Sequence, residues 1–284
     1  MRIKDRLIEL GYGKQAEALE GSAIDCIALK TTKSSEHEFS IGESKIGGLP
    51  HLPQNYEWPL FNGEPLAFLA QFNLEQTSTY DTQGLLPKTG MLYFFHEGGN
   101  SVWGDDPKDK GGFKVFHYDG DMAKLCITAS PDSLDEHLRF SPCKLEFSCE
   151  KSYVPYEEAV LLFGEESDDS DKFDEFCDLY IDMLGNDASG NQLLGHPFLI
   201  QGDIYLESQL VTHGLYCGDP SGFNDPRAKE LEQGASEWML LFQLDSDYNA
   251  DMMWGDVGMI YFTIKKHDLE IGNFDDAWSV FQCH

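Results

Sequence analysis

Apolar and polar residues alternate over short stretches through most of the chain, and the alternation predicts strands. Ala23 to Lys30 (AIDCIALK), Leu66 to Leu74 (LAFLAQFNL) and Trp238 to Asp245 (WMLLFQLD) are the longest. Lys114 to Tyr118, Lys124 to Thr128 and Lys144 to Ser148 are shorter ones separated by turn residues, and Trp278 to Cys283 reads as a closing strand. Trp58-Pro59, the turn at Asn62-Gly63 and Leu85-Leu86-Pro87 bracket the first central strand. Helical spacing is read at two places. Leu7 to Leu19 predicts a leading helix interrupted around Gly11 and Gly13. From Asp171 to Leu184, Phe173, Phe176, Cys177, Tyr180, Ile181 and Leu184 form one stripe, with Ser170 as cap and Gly185-Asn186 as stop. The class that follows is α+β and β-rich, with a few flanking helices.

Three blocks recur in one order. Gly48-Leu49-Pro50, the strand at Leu66 to Leu74 and Gly90-Met91-Leu92-Tyr93-Phe94 return as Gly195-His196-Pro197, Trp238 to Asp245 and Gly258-Met259-Ile260-Tyr261-Phe262. Ordered recurrence of turn and strand pieces predicts an internal duplication, with copies at 1–164 and 165–284 forming one compact unit. The block spacings are 147, 172 and 168 residues, so the second copy carries about 25 extra residues between its first two blocks. They fall near Thr212 to Ser236, where glycines and prolines predict a long surface loop. The acidic run from Glu165 to Asp171 reads as a solvated linker between copies.

Charge narrows the partners. Fifty Asp and Glu against twenty Lys and Arg give −30, which repels nucleic acid and anionic membranes and suits a basic protein partner or a bound cation. Seven cysteines without a Cys-x-x-Cys pair indicate reduced thiols and a cytoplasmic location, and no stretch is long and apolar enough to span a membrane. The N-terminal MRIKDRLIEL lacks the uninterrupted apolar core of a signal peptide.

Two groups of residues could carry a site. In the paired central strands, Leu66, Phe68, Ala70, Phe72 and Leu74 are expected on one face and Gln71 and Asn73 on the other. Trp238, Leu240, Phe242 and Leu244 are likewise expected opposite Gln243 and Asp245. A buried Gln needs partners, so Gln71 and Gln243 either clamp neighbouring backbone or converge with Asn73 and Asp245 on a ligand cleft between the copies. The second group is Asp245, Asp247, Asn249, Asp251 and Asp256, spaced like the oxygen ligands of a calcium loop. Ala250 replaces the turn glycine and the flanks read as strands, so an Asp- and Asn-rich connection without metal is the competing reading. Trp254-Gly255-Asp256 echoes Trp103-Gly104-Asp105; an aromatic beside a carboxylate packs a turn or walls a ligand. His51, His96 and His196 lie near the repeated blocks, yet no nucleophile elbow, phosphate loop, His-Glu-x-x-His or dinucleotide fingerprint occurs, and Cys143 and Cys149 lack a zinc-like pattern.

Lys45-Ile46-Gly47-Gly48-Leu49-Pro50, Trp58-Pro59, LAFLAQFNL, Leu86-Pro87 before Gly90-Met91-Leu92-Tyr93-Phe94-Phe95, Leu194-Gly195-His196-Pro197, LFQLDSD from Leu241 and Trp254-Gly255-Asp256 before Gly258 together resemble the YwqG-like family of bacterial proteins, from near residue 40 to the C-terminus. The resemblance implies a soluble α+β protein and brings no catalytic residues. Two functions are expected: a non-enzymatic binding or interaction module with an acidic surface, or an enzyme that is cation-dependent or acts on a small molecule, with its site between the copies.

Overall fold

A computed structural model describes residues 3–98, 101–163, 174, 176–180 and 190–284. One antiparallel sheet of ten strands dominates. In chain order its strands are β1 (Ile24–Lys33), β2 (Lys45–Ile46), β6 (Ala67–Asn73), β7 (Met91–His96), β8 (Phe113–Tyr118), β10 (Cys143–Ser152), β11 (Gln192–Leu193), β12 (Trp238–Asp245), β13 (Met259–Lys265) and β14 (Trp278–Gln282). Two small ladders complete the β structure of the described residues: β3 (His51–Pro53) with β9 (Leu125–Ile127), and β4 (Leu60–Phe61) with β5 (Glu64–Pro65). The latter turns through Asn62 and Gly63, both at positive φ, as the Asn-Gly pair predicts.

Across the sheet the order is β14-β13-β12-β11-β1-β10-β2-β6-β7-β8. The middle is the β1–β10 ladder, in register from Ile24 opposite Ser152 to Lys33 opposite Cys143. β10 lies between β1 and β2, and β1 lies between β10 and β11. Each long central strand therefore borders a short strand from the other half of the chain.

The sheet curls until its ends nearly meet. The Phe281 N–H donates to the Trp103 carbonyl at 2.9 Å and Trp278 Nε1 to the Gly104 carbonyl at 2.8 Å. Gly104 has φ +82°, and a Cβ there would stand 1.9 Å from the Ser279 carbonyl oxygen, so glycine alone fits the junction. Inside the curl, Phe94 contacts Phe242 and Phe262 at ring distances of 4.7 and 5.0 Å, and Phe72 meets Phe242 at 5.1 Å. These rings come from both ends of the chain, and each aromatic pair adds about 0.5–1.5 kcal/mol beyond the area it buries.

The faces expected for the central strands need correction. The register shifts between Phe68 and Ala70 and again between Leu240 and Phe242. Each bulge inserts one residue and reverses the alternation beyond it. Phe68 consequently packs with Tyr93 and Phe95 in an outer layer, while Phe72 packs with Phe94 inside. Likewise Leu240 stands opposite Thr263, whose hydroxyl meets Ser208, whereas Phe242 stands opposite Phe262. Bulges also increase local twist, which favours the curl.

The leading helix is two: Ile3–Glu9 and Gly13–Ser22, parted at Gly11 with φ +92°. The stretch Thr212 to Ser236, expected as a loop, is corrected to short helical pieces at Pro220–Phe223, Ala228–Leu231 and Glu232–Glu237. Asp219 caps the first of these through the Ser221 N–H, with Pro220 at the opening position. Of the helix expected at Asp171 to Leu184, residues 174 and 176–180 are helical and the rest lie outside the described residues, as does the acidic run Glu165 to Asp171.

Candidate functional site

The two central glutamines hold the outer layer to the sheet. Gln71 Oε1 accepts from the His51 N–H at 2.7 Å, and its Nε2 donates to the Glu43 carbonyl at 2.7 Å. Gln243 Oε1 accepts from the Phe198 N–H at 2.8 Å, and its Nε2 donates to the Gly190 carbonyl at 3.0 Å. Tyr93 and Tyr261, directly across the ladders from these glutamines, donate to the His51 and Phe198 carbonyls at 2.5 and 2.6 Å. Asn73 and Asp245 also correspond: their N–H groups donate to Ser44 Oγ and Asn191 Oδ1, both at 2.8 Å. Four strands separate β6 from β12 along the sheet, and each glutamine spends its amide within its own arm.

One buried group escaped the sequence reading. Lys45 is wholly buried, with Nζ 2.9 Å from Glu36 Oε2 and 5.0 Å from the centre of the Phe39 ring. Glu36 Oε1 also accepts from the Leu49 N–H at 2.5 Å, so the ion pair pins the Gly47-Gly48 turn. Burial lowers the Lys45 pKa, opposed by Glu36. His51 Nδ1 accepts from the Gly42 N–H at 3.0 Å, leaving the proton of a neutral ring on Nε2, which faces Lys45 Nζ at 3.4 Å. Burial, reinforced by the Lys45 charge, pushes the His51 pKa down to about 4. The signal in the sequence was a single Lys inside an apolar turn motif, with nothing nearby to show that Glu36 reaches it.

The acidic connection after β12 is built from separate clamps. Asp247 Oδ2 accepts from Thr31 Oγ1 at 2.6 Å and Asn191 Nδ2 at 3.1 Å, and its Oδ1 from the Asn249 N–H at 2.8 Å. Asn249 Nδ2 donates to Thr31 Oγ1 at 3.1 Å. Asp251 Oδ2 accepts from Lys33 and Ser141, and these bonds hold its carboxyl below the usual range. Burial raises the Asp245 pKa, while its bond from the Ser246 N–H opposes the rise. Asp256 is exposed. Asp247 and Asn249 share Thr31, Asp251 is held by Lys33 and Ser141, and among the described residues no three His, Cys, Asp or Glu side chains are grouped to hold a metal.

These clamps frame a pocket of about 370 Å³ between β1 and the connection, walled by Lys30, Thr31, Asn191, Asp245, Asp247 and Tyr248. Of the exposed apolar residues of the connection, Tyr248 lines this pocket and Met253 and Val257 lie outside it. Tyr248, Met253 and Val257 are 75%, 45% and 46% exposed. Val257 and Asp251 sit at φ +50° and +56°, a region that costs a β-branched residue about 1–3 kcal/mol. Trp254 is buried beneath: its Nε1 donates to the Asp245 carbonyl at 3.0 Å and its ring meets Phe140 edge-on at 5.4 Å. Trp103 lies elsewhere, edge-on to Phe281 at 4.6 Å, with its N–H on Asp109 Oδ2 at 3.1 Å. His96 is buried in the interior against Phe113, and the His196 ring meets the Ser22 carbonyl.

No curated protein matches this chain. A family of domains of unknown function, DUF1963, matches it over residues 44–283, from the first buried turn to the closing strand, and the chain belongs to that family.

Proposed function

We propose that this protein is a non-enzymatic binding module that docks a basic protein on the connection from Asp245 to Gly258. The observation that carries this reading is the exposure of Tyr248, Met253 and Val257 on one connection with the exposed Asp251 and Asp256. Exposed aromatic and aliphatic side chains close in sequence to carboxylates have the composition of an interface centre and its polar rim. The Asp247 clamp limits the ordering cost on binding, and the −30 charge speeds encounter with a basic surface.

Fluorescence anisotropy with a labelled lysine- and leucine-rich peptide tests it at 50 and 150 mM salt. Tyr248→Ala combined with Asp256→Asn is expected to weaken binding at least tenfold at both salts. Glu64→Gln with Glu75→Gln, which removes more charge elsewhere, is expected to change it less than twofold. Equal losses in the two variants would reduce the interaction to diffuse charge and overturn the docking site.

We further infer that residues 1–164 and 165–284 are copies of one duplicated unit; the matching bonds of Gln71 with Gln243, and of Tyr93 with Tyr261, support this. The finer YwqG-like assignment belongs with this reading. Seven free cysteines suit a cytoplasmic location.

A further inference from the structure

The curl closes through a short segment crowded with carboxylates. Trp103 and Gly104 bond β14 through their carbonyls, and the next carbonyl, that of Asp105, accepts from the Cys217 N–H at 2.7 Å. Asp109 fastens the same segment: its Oδ2 accepts from the Trp103 and Gly104 N–H groups at 3.1 and 2.8 Å. The Asp105 carboxylate lies against Gly218, where a Cβ would stand 2.5 Å from its Oδ2. The helix Ile204–Thr212 packs on β14 and is seated on the sheet by Ser208, whose Oγ is 2.8 Å from the Thr263 hydroxyl.

Glu207, one residue before Ser208, is half-buried, and its carboxyl has no hydrogen-bond donor or ion-pair partner among the described residues. Asp105 from the closing segment and Asp203 from the start of the helix act on it, and the buried Cys217 thiol feels the charge of Glu207 and Asp105 together. Strands β12 to β14 and the helical pieces at Pro220–Phe223, Ala228–Leu231 and Glu232–Glu237 also pack on the helix. Their charged groups, Lys229, Glu230, Glu232, Glu237, Asp245 and Lys265, bring no charge to bear on Glu207.

Burial and like-charged neighbours favour the neutral form of a carboxyl that nothing bonds. Burial raises the pKa values of Asp105, Asp109 and Glu207, the last to about 8, where Asp105 and then Asp203 add to it. Glu207 therefore keeps its proton near neutral pH, and losing it adds a charge to those of the closing segment. We propose that the closure of the sheet is proton-controlled: neutral Glu207 lets the Trp103 to Asp105 segment sit between β14 and Cys217, and its ionisation loosens that segment. A Glu released into water titrates near 4.5, so between about pH 4.5 and 8 the closed form binds more protons than the loosened one. Closure is favoured fully below that window and weakens as pH rises through it. This device is separate from the Asp245 to Gly258 connection and does not depend on that connection's role.

The test is hydrogen exchange of the full chain between about pH 6 and 8.5, read as protection factors, which remove the intrinsic pH dependence of exchange. The Cys217 and Phe281 amides are both bonded across the closure. Their protection is expected to fall about tenfold or more over that range, while amides of the β1–β10 ladder change less than about threefold. Glu207→Gln, which copies the size of the neutral acid, should flatten the profile at both amides to within about threefold. Asp105→Asn should reduce the fall by about half or more, so the proposal stays testable if the Gln variant does not fold. Glu146→Gln, exposed on β10 in the middle of the sheet, should leave the profile unchanged. The proposal is overturned by wild-type protection as flat at Cys217 and Phe281 as in the ladder, by an undiminished fall in Glu207→Gln or Asp105→Asn, or by equal flattening in Glu146→Gln.

Discussion

Gln71 and Gln243, on strands separated by four others, each tie an incoming N–H and an outgoing carbonyl of an outer segment to the sheet. Both side chains are fully buried, so truncation leaves two backbone groups without partners in either arm. Gln71→Ala and Gln243→Ala are each expected to cost about 2–5 kcal/mol, and the double variant the sum within about 0.5 kcal/mol, because the sites share no partner. Urea titration measures all three. A loss below about 1 kcal/mol in either single variant contradicts the clamp.

Lys45 and Glu36 differ in what their removal leaves behind. Glu36→Ala strands a buried ammonium and the Leu49 N–H, and is expected to lower stability by about 3–5 kcal/mol. Lys45→Met leaves a half-buried carboxylate that keeps its Leu49 bond, and should cost far less or even stabilise. The reverse order of melting temperatures would show that the ammonium is not held by the carboxylate.

Acid sensitivity follows from two histidines buried in neutral form. His51 and His96 are pushed down to about 4 and about 3, in both cases chiefly by burial. An unfolded imidazole takes its proton near pH 6.5 and the folded ones only well below that, so the unfolded chain binds more protons in between. Stability is fully present above about pH 6.5 and is lost as pH falls toward 4, by about 1.4 kcal/mol per pH unit for each ring. Urea midpoints at pH 7, 5.5 and 4.5 should fall progressively, and less steeply in His96→Gln. A slope unchanged by that substitution would remove His96 from the account.

Gly104 and Gly84 separate close approach from backbone strain. Both have positive φ, +82° and +66°, but a Cβ at 84 meets open space and one at 104 strikes the Ser279 backbone. Gly84→Ala is expected to cost about 1 kcal/mol and Gly104→Ala about 3 kcal/mol or more, with the closure of the sheet disturbed. Equal costs in chemical denaturation would mean that the closure yields easily.

Local chemistry made much of this protein legible in its sequence. Period-two alternation marks Ala67–Asn73, Trp238–Asp245 and the closing strand, the Asn62-Gly63 pair marks its hairpin, and Gly11 marks the helix break, because each depends on neighbouring residues alone. Tertiary structure decided what depends on partners far along the chain. The insertion of β10 between β1 and β2, the bulges that split Phe68 from Phe72, and the meeting of Lys45 with Glu36 follow from non-local packing and the satisfaction of buried polar groups. The same holds at the candidate site. The spacing of Asp245, Asp247, Asn249, Asp251 and Asp256 is legible in one dimension, whereas the bonds of Thr31 and Asn191 to Asp247 and of Lys33 and Ser141 to Asp251, and the exposure of Tyr248, Met253 and Val257, depend on segments distant in sequence.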